Sequence, residues 1–242
     1  MKQGIFEIKE NSEIADGVWK MELEGDTSAI SAPGQFVNIR LDGHFLRRPI
    51  SVCDLENETL TVIYKTVGAG TLEMSRMKSG SLDILTGLGN GYNLSKSGER
   101  PLLIGGGVGV PPLYLLARRL IAQGRQVSVI TGFNRASDVF FTEEFRALGA
   151  DVKVTTADGS AGIRGFVTDA LSGISCSYVY TCGPEAMLKA VYRATDCSGQ
   201  YSFEERMGCG FGACMGCTCK TVTGSKRICK AGPVLEKEEI LW

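Results

Sequence analysis

Pro101-Leu-Leu-Ile104-Gly105-Gly106-Gly107-Val108-Gly109-Val110-Pro111-Pro112 is the stretch on which the fold turns. A short apolar run, a glycine-rich loop, and then Leu113 to Gln123 at helical spacing read as strand, loop and helix. The loop departs from the dinucleotide fingerprint G-x-G-x-x-G. It runs Gly107-x-Gly109-x-x-Pro112, with proline where the third glycine would stand. Proline suits a first helical turn, so a phosphate near this helix N-terminus is expected, with Gly105, Gly106, Gly107 and Gly109 as candidate cofactor-binding positions.

Toward the C-terminus the same alternation continues. Strands are expected at Gln126 to Thr131, Asp151 to Thr155, Ser177 to Thr181 and Gln200 to Phe203, and helices at Thr142 to Leu148, Val167 to Leu171 and Glu185 to Thr195. Strands alternating with helices predict an α/β domain, a doubly wound parallel sheet spanning 98–200. Ligands of such sheets lie outside the carboxyl ends of the strands, which makes Cys182, Gly183 and Pro184 a second candidate loop. Cys182 reads equally as a small buried residue, functional only with a nicotinamide beside it. Arg135 follows the second strand, where it could meet a 2′-phosphate or simply face solvent.

Toward the N-terminus, residues 1–97 read as short strands: Val18 to Leu23, Gln35 to Leu41, Thr59 to Tyr64 and Ser81 to Leu85. Turns such as Asp42-Gly43 and Gly89-Asn90-Gly91 bound them, which predicts a small antiparallel β-barrel. Arg47-Arg48-Pro49-Ile50-Ser51 starts a further strand, where Arg48 and Ser51 stand roughly 10 Å apart along an extended chain. That span suits a long ligand such as FAD, with a guanidinium on its diphosphate. Val67-Gly68-Ala69-Gly70-Thr71 reads either as an anion-binding loop or as a plain hairpin turn. His44, the one histidine, reads as a surface-loop residue, and its isolation argues against His-based triads.

The remaining stretch, 201–242, carries Cys209-Gly-Phe-Gly-Ala-Cys214-Met-Gly-Cys217, the C-x4-C-x2-C spacing of plant-type [2Fe–2S] loops. Gly210, Gly212, Ala213 and Gly216 are small enough for backbone N–H groups to approach sulfur. Cys229 is the natural fourth ligand, after eleven intervening residues. A four-thiolate zinc site is the rival, although zinc sites commonly pair two short knuckles. Cys219 stands outside the spacing and is expected to be a buried spectator. A disulfide scaffold fits poorly: the 9 cysteines lie in a 242-residue chain with no signal peptide before the polar Met1-Lys2-Gln3-Gly4.

Bulk composition fits an ordinary soluble protein. Net charge is −1, from 26 basic and 27 acidic side chains, so neither nucleic acid nor an anionic membrane is an expected partner. The longest uncharged run, Pro101 to Ala117, falls short of the roughly 20 apolar residues of a membrane span. A cytoplasmic location follows as the expectation.

Taken together, Arg48-Pro49-Ile50-Ser51, Ile63-Tyr64-Lys65, Gly70-Thr71, the GGGVGVPP loop and Cys182-Gly183-Pro184 resemble the ferredoxin–NADP reductase superfamily. The tail Glu204-Glu205-Arg206-Met207-x-Cys209-Gly-x-Gly-x-Cys214-x-x-Cys217, with Arg227-x-Cys229-Lys-x-Gly232-Pro233-Val234, is similar to one family within it. That family is the electron-transfer subunits of class B, NAD-dependent dihydroorotate dehydrogenase, and Gly87-x-Gly89-Asn90-Gly91-Tyr92 fits its barrel-to-domain junction. The resemblance spans essentially the whole chain, with a short interval from Cys217 to Cys229 that would trim the hairpin between them.

The resemblance implies FAD on Arg48, Pro49, Ile50, Ser51, Ile63, Tyr64, Lys65, Gly70 and Thr71, and a [2Fe–2S] cluster on Cys209, Cys214, Cys217 and Cys229. NAD would be the acceptor. It also implies an FMN-containing catalytic subunit that oxidises dihydroorotate in pyrimidine (UMP) biosynthesis, joined in a heterotetramer of two plus two. No catalytic base or nucleophile is evident in this chain. Phe211 and Met215 would either touch the partner or shield the cluster. The alternatives are a flavin/iron–sulfur subunit of a bifurcating ferredoxin–NADP oxidoreductase or of a sulfide dehydrogenase, in which the first cysteine is often missing, and a zinc-stabilised regulatory module that binds nucleotide without turnover.

Overall fold

The computed structural model describes residues 1–242. The chain opens with six strands: β1 (Lys2–Ala15), β2 (Val18–Glu24), β3 (Phe36–Ile39), β4 (Arg48–Glu56), β5 (Thr59–Lys65) and β6 (Ser81–Leu88). They close an antiparallel barrel in the order β1-β2-β5-β4-β3-β6. Asp16-Gly17 makes the first hairpin. Ala15 pairs with Val18 across two residues, and Gly17 takes φ +67°, which the tight turn requires. Phe6, Met21, Leu23, Val37, Ile39, Val52, Leu60 and Val62 fill the barrel interior.

Strand β1 was not legible in the sequence. Its 14 residues bury only Phe6, Ile8 and Asn11, and the charged outer face masks the alternation. The stretch from Val67 to Thr71 is also not a hairpin turn. It leads into a helix, α1 (Ala69–Arg76), that plugs one end of the barrel. Asn11 holds it there, donating to the carbonyls of Met74 (2.7 Å) and Met77 (2.9 Å) while accepting from the Tyr64 hydroxyl (2.9 Å).

A sheet of parallel strands follows: β7 (Pro101–Gly106), β8 (Ser128–Phe133), β9 (Asp151–Thr156), the two-residue β10 (Ile163–Arg164), β11 (Tyr178–Cys182) and β12 (Gly199–Ser202). Helices α2 (Pro112–Ala122), α3 (Thr142–Ala147) and α4 (Glu185–Ala194) connect them, with a single 3₁₀ turn at Val167–Ala170 where a short helix was expected. Strand order is β10-β9-β8-β7-β11-β12, so winding reverses between β7 and β11.

The last residues build a hairpin, β13 (Thr218–Thr221) with β14 (Gly224–Arg227), then α5 (Ile228–Ala231) and β15 (Val234–Glu236). Strand β15 runs antiparallel to β12 and becomes the seventh strand of the large sheet. The cysteine stretch is therefore bolted to that sheet by backbone pairing. Trp242 closes the chain against Tyr192, Tyr201 and Phe203, with ring centroids 5.4–6.1 Å apart.

Two apolar cores weld these parts together. One packs Leu113, Leu116 and Leu120 of α2 against Val18, Cys53 and Ile63 on the outside of the barrel. Arg118 adds an ion pair to Asp54 (2.5 Å), and Arg119 a bond to the Ser31 carbonyl (2.9 Å). The other core packs Phe36, Leu85 and Leu88 of the barrel with Val179, Leu188, Cys217, Ile228, Cys229 and Leu235. Barrel, sheet and cysteine module thus share buried surface. Asn90 cements the junction: its side chain donates to the Val234 carbonyl (2.7 Å) and accepts from the Val234 amide (3.1 Å). Nowhere is a helix long and apolar enough to cross a membrane.

Candidate redox site

Four thiols lie where the cysteine module meets the barrel. Cys209 Sγ accepts from the amides of Ala213 (3.2 Å) and Cys214 (3.4 Å), Cys214 Sγ from those of Cys209 and Gly216 (both 3.5 Å), and Cys217 Sγ from Cys229 (3.4 Å). Amides aimed at sulfur favour the thiolate. Burial pushes the Cys209 thiol up, but the amides of Cys214, Phe211 and Ala213 outweigh it and lower it to about 6. Burial, and then Cys217, push the Cys229 thiol the other way, up to about 12.

These hydrogen bonds link the cysteines in two pairs: Cys209 and Cys214 each donate an amide to the other's sulfur, and Cys229 donates to that of Cys217. No three His, Cys, Asp or Glu side chains converge on one ion-sized point. Two cysteine pairs linked in this way suit a binuclear cluster, with two protein ligands for each iron, better than four ligands on one zinc. Cys217 and Cys229 are buried, whereas Phe211 and Met215 are 44 % and 58 % exposed at the loop apex. Cys219 is partly buried, less than expected, on the inner hairpin.

Of the flavin-type positions, Arg48, Gly70 and Thr71 meet at α1. Gly70 sits under the Arg48 guanidinium, where a Cβ would fall 2.2 Å from Nε, so only glycine leaves Arg48 that place. His44, far from idle, accepts from Arg48 Nη2 at 2.8 Å through Nδ1 and lies 2.9 Å from Glu73 through Nε2. His44 and Glu73 thus orient the arginine, a role their sequence positions did not signal. Arg47 turns the opposite way. It makes paired 3.0 Å bonds to Asp83, holding that carboxylate below its ordinary range, and serves as a strut. The Thr71 hydroxyl accepts from Val67 N (2.9 Å) and Gly68 N (3.3 Å), so it shapes the loop from within.

Alternation along the strands sorts the remaining positions. Tyr64 points into the barrel, and burial pushes its hydroxyl up to about 12. Ile63 faces the interdomain core, and Lys65 is exposed. Pro49, Ile50 and Ser51 are partly buried on β4 and pair with Asn38, Val37 and Phe36 of β3.

A cleft of about 500 Å³ opens at the carboxyl ends of β7, β8 and β9, closed on its far side by Val18 and Lys65 of the barrel. Gly106, Gly107 and Pro184 line it, together with Phe166 and Met187, which sequence reasoning missed because neither sits in a glycine motif. Gly105 and Gly109 lie beneath. A Cβ on Gly109 would stand 2.3 Å from the Cys182 carbonyl oxygen, and one on Gly105 would stand 2.9 Å from Val110. Cys182 is partly buried, with its thiol pushed up to about 12 by burial, and Gly183 packs on Met187.

The first turn of α2 offers a phosphate little. Pro111 and Pro112 have no N–H, and Leu113 and Tyr114 donate to the Val110 and Pro111 carbonyls. Helix α4 begins instead at the cleft, with Ala186 and Met187 of its first turn on the lining and their amides without intrahelical acceptors. Arg135 is held by Asp16 (2.5 Å) and Asp138 (3.4 Å), so its charge is already matched.

Comparison with known proteins agrees with this geometry. Residues 103–193 match an oxidoreductase NAD-binding domain, and residues 204–241 match the iron–sulfur cluster binding domain of dihydroorotate dehydrogenase B. The "Dihydroorotate dehydrogenase B (NAD(+)), electron transfer subunit" of Shouchella clausii is 43% identical over 99% of this chain and 98% of its own. Among solved structures, an NADH-dependent reduced ferredoxin–NADP oxidoreductase studied for flavin-based electron bifurcation superposes with a TM-score of 0.90. Its identity is 29%, covering 99% of this chain and 90% of that one. A ferredoxin–NADP+ reductase from Neisseria gonorrhoeae with bound FAD and NADP shares the fold, at a TM-score of 0.68 and 17% identity over 80% of this chain and 90% of that one. The iron–sulfur match removes the zinc rival, the NAD-binding match supports NAD as the nucleotide, and the bifurcating enzyme is a structural neighbour. With full-length identity above 40% and both domain matches in the expected places, the chain belongs to the family of electron-transfer subunits of NAD-dependent dihydroorotate dehydrogenase B.

Proposed function

We propose that this chain is the NAD+-reducing half of a cytoplasmic dihydroorotate dehydrogenase, a heterotetramer of two such chains and two FMN-containing catalytic subunits that oxidise dihydroorotate for pyrimidine synthesis. Bound FAD would supply the conversion between the single electrons carried by a [2Fe–2S] cluster and the hydride given to NAD+.

Cys209, Cys214, Cys217 and Cys229 hold the cluster, with backbone amides directed at the sulfurs of the first three. Arg48, oriented by His44, binds the diphosphate of FAD over the Gly70 gap. Pro49, Ile50 and Ser51, with the backbone of Ile63, Tyr64 and Lys65, form the strand edge beside it. Gly106, Gly107 and Pro184 line the cleft for the nicotinamide nucleotide, with Cys182 and Gly183 just before Pro184 at the end of β11 and Gly105 and Gly109 packing the loop beneath. Phe211 and Met215, exposed at the cluster loop apex, face the partner.

The observation that carries this reading is the shared core. Phe36 of a flavin-side strand shares one buried core with Cys217 and Cys229, and Asn38 of the same strand donates to the Cys209 carbonyl at 3.1 Å, which puts the cluster loop directly against the barrel. The test is reconstitution with a dihydroorotate-oxidising FMN subunit, following dihydroorotate-dependent NADH formation under anaerobic conditions. A complex that forms yet reduces no NAD+ from dihydroorotate would sink the proposal. Ferredoxin-coupled NADP+ reduction in its place would select the bifurcating alternative.

A further inference from the structure

Asn38 stands between the cluster loop and the flavin-side strands, and nothing in the assigned chemistry uses it. It lies on β3, where Phe36 and Asn38 face out of the barrel while Val37 and Ile39 face in. Pro49 of β4 is its cross-strand partner. Its side chain is 1 % exposed, and Nδ2 donates to the backbone carbonyl of Cys209 at 3.1 Å, across 171 residues of sequence. Oδ1 is buried with no hydrogen-bond partner. Buried amides in native proteins are nearly always satisfied, so an orphan acceptor marks a position kept for something other than stability.

The opposite wall is cut to fit. Gly210 follows Cys209 with φ +77°, and a Cβ there would fall 2.4 Å from Asn38 Nδ2. A left-handed glycine that admits one buried amide, and a buried amide that grips the peptide of a ligand cysteine, are two halves of one contact. An apolar residue of the same size would fill the space but leave the Cys209 carbonyl unbonded.

We propose that Asn38 is the positioning residue that registers the cluster loop against the strands carrying Arg48 to Ser51, and so sets how well the two redox groups are coupled. This rests on the assignment of Cys209 as a cluster ligand and of β4 as the flavin strand.

The test uses the reconstituted complex with Asn38→Leu, which keeps volume without hydrogen bonding, and Asn38→Asp, which keeps shape without the donor. Iron, acid-labile sulfide and FAD are counted first, and the cluster's visible circular dichroism and EPR signals are recorded. Flavin and cluster reduction by NADH are then timed in one stopped-flow mixing. The expected result is retained FAD, an altered cluster spectrum, and a ratio of cluster to flavin reduction rates lowered roughly tenfold or more, the range for changes just outside a metal's ligands. Selective loss of iron with FAD retained also supports the proposal, since the loop has then come away from the barrel. A rate ratio and spectrum matching wild type in both variants overturn it, as does joint loss of FAD and iron, which would make Asn38 a packing residue. Wild-type protein without acid-labile sulfide would instead reject the cluster assignment beneath it.

Discussion

The cysteine loop and the glycine-rich loop after β7 are both short, rich in glycine and candidates for holding a cofactor, yet they obey different constraints. In the cysteine loop, spacing along the chain already places the chemistry: amides of residues 209–216 reach the sulfurs of Cys209 and Cys214 within the same few residues. In the glycine-rich loop, adjacent and chemically identical residues have different tasks. Gly106 and Gly107 line the cleft, whereas Gly105 and Gly109 give room to Val110 and to the end of β11. Ligand chemistry can be local, but a glycine's purpose depends on what the fold brings next to it.

The sharpest break in this comparison is Cys229→Ser. Iron and acid-labile sulfide should be lost completely while FAD stays bound, because serine removes the proposed fourth ligand while nearly keeping the volume that Cys229 fills in the core shared with the barrel. Flavin lost together with iron would show the two regions to be one folding unit.

Arg48→Ala is next in size. Removing a guanidinium from a diphosphate should weaken FAD binding about 10- to 100-fold, or about 1.5–3 kcal/mol. Flavin fluorescence during titration of the apoprotein reads this directly, and an unaltered affinity would strike Arg48 from the site.

Gly109→Ala tests the division within the glycine loop. Its Cβ would meet the Cys182 carbonyl, and backbone cannot step aside as a side-chain tip can. A stability loss of about 1–3 kcal/mol is expected, visible as a lower melting temperature, with NAD affinity affected only through the fold. A variant as stable as wild type but weak for NAD would reverse the assignment.

Glu236→Gln is the smallest effect and probes how the cysteine module is tethered. Burial alone would raise the Glu236 carboxyl, but Lys96, Tyr178 and Gln200 hold it below its ordinary range. A carboxyl depressed in the folded state stabilises above its ordinary pKa and loses that contribution as pH falls through the folded value. The melting-temperature gap between wild type and variant should therefore be present at pH 7 and close on acidification. Its size should be below about 1 kcal/mol, since the Lys96 pair is partly exposed.

Much of the architecture was readable because apolar runs such as Leu102 to Ile104 and Val129 to Ile130 are buried on both faces and bounded by turn residues. Strand β1 escaped because a barrel strand with one solvated face carries only a few apolar residues. Helix α1 escaped because its loop is glycine-rich, and what fixes it is Asn11, far back in the chain. His44 was unreadable for the same reason, since its partners Arg48 and Glu73 meet only after the barrel closes.

The spacing of the four thiols, the alternating α/β pattern and the Arg48-to-Ser51 strand were legible in the amino-acid order, because cysteine spacing and hydrophobic period are short-range properties. Tertiary structure alone decided which glycines face the cleft, that β15 carries the cysteine module onto the large sheet, and that Asn38 grips the Cys209 peptide. Those contacts join residues tens to well over a hundred positions apart. They exist only where two packed surfaces meet, and no local pattern encodes that meeting.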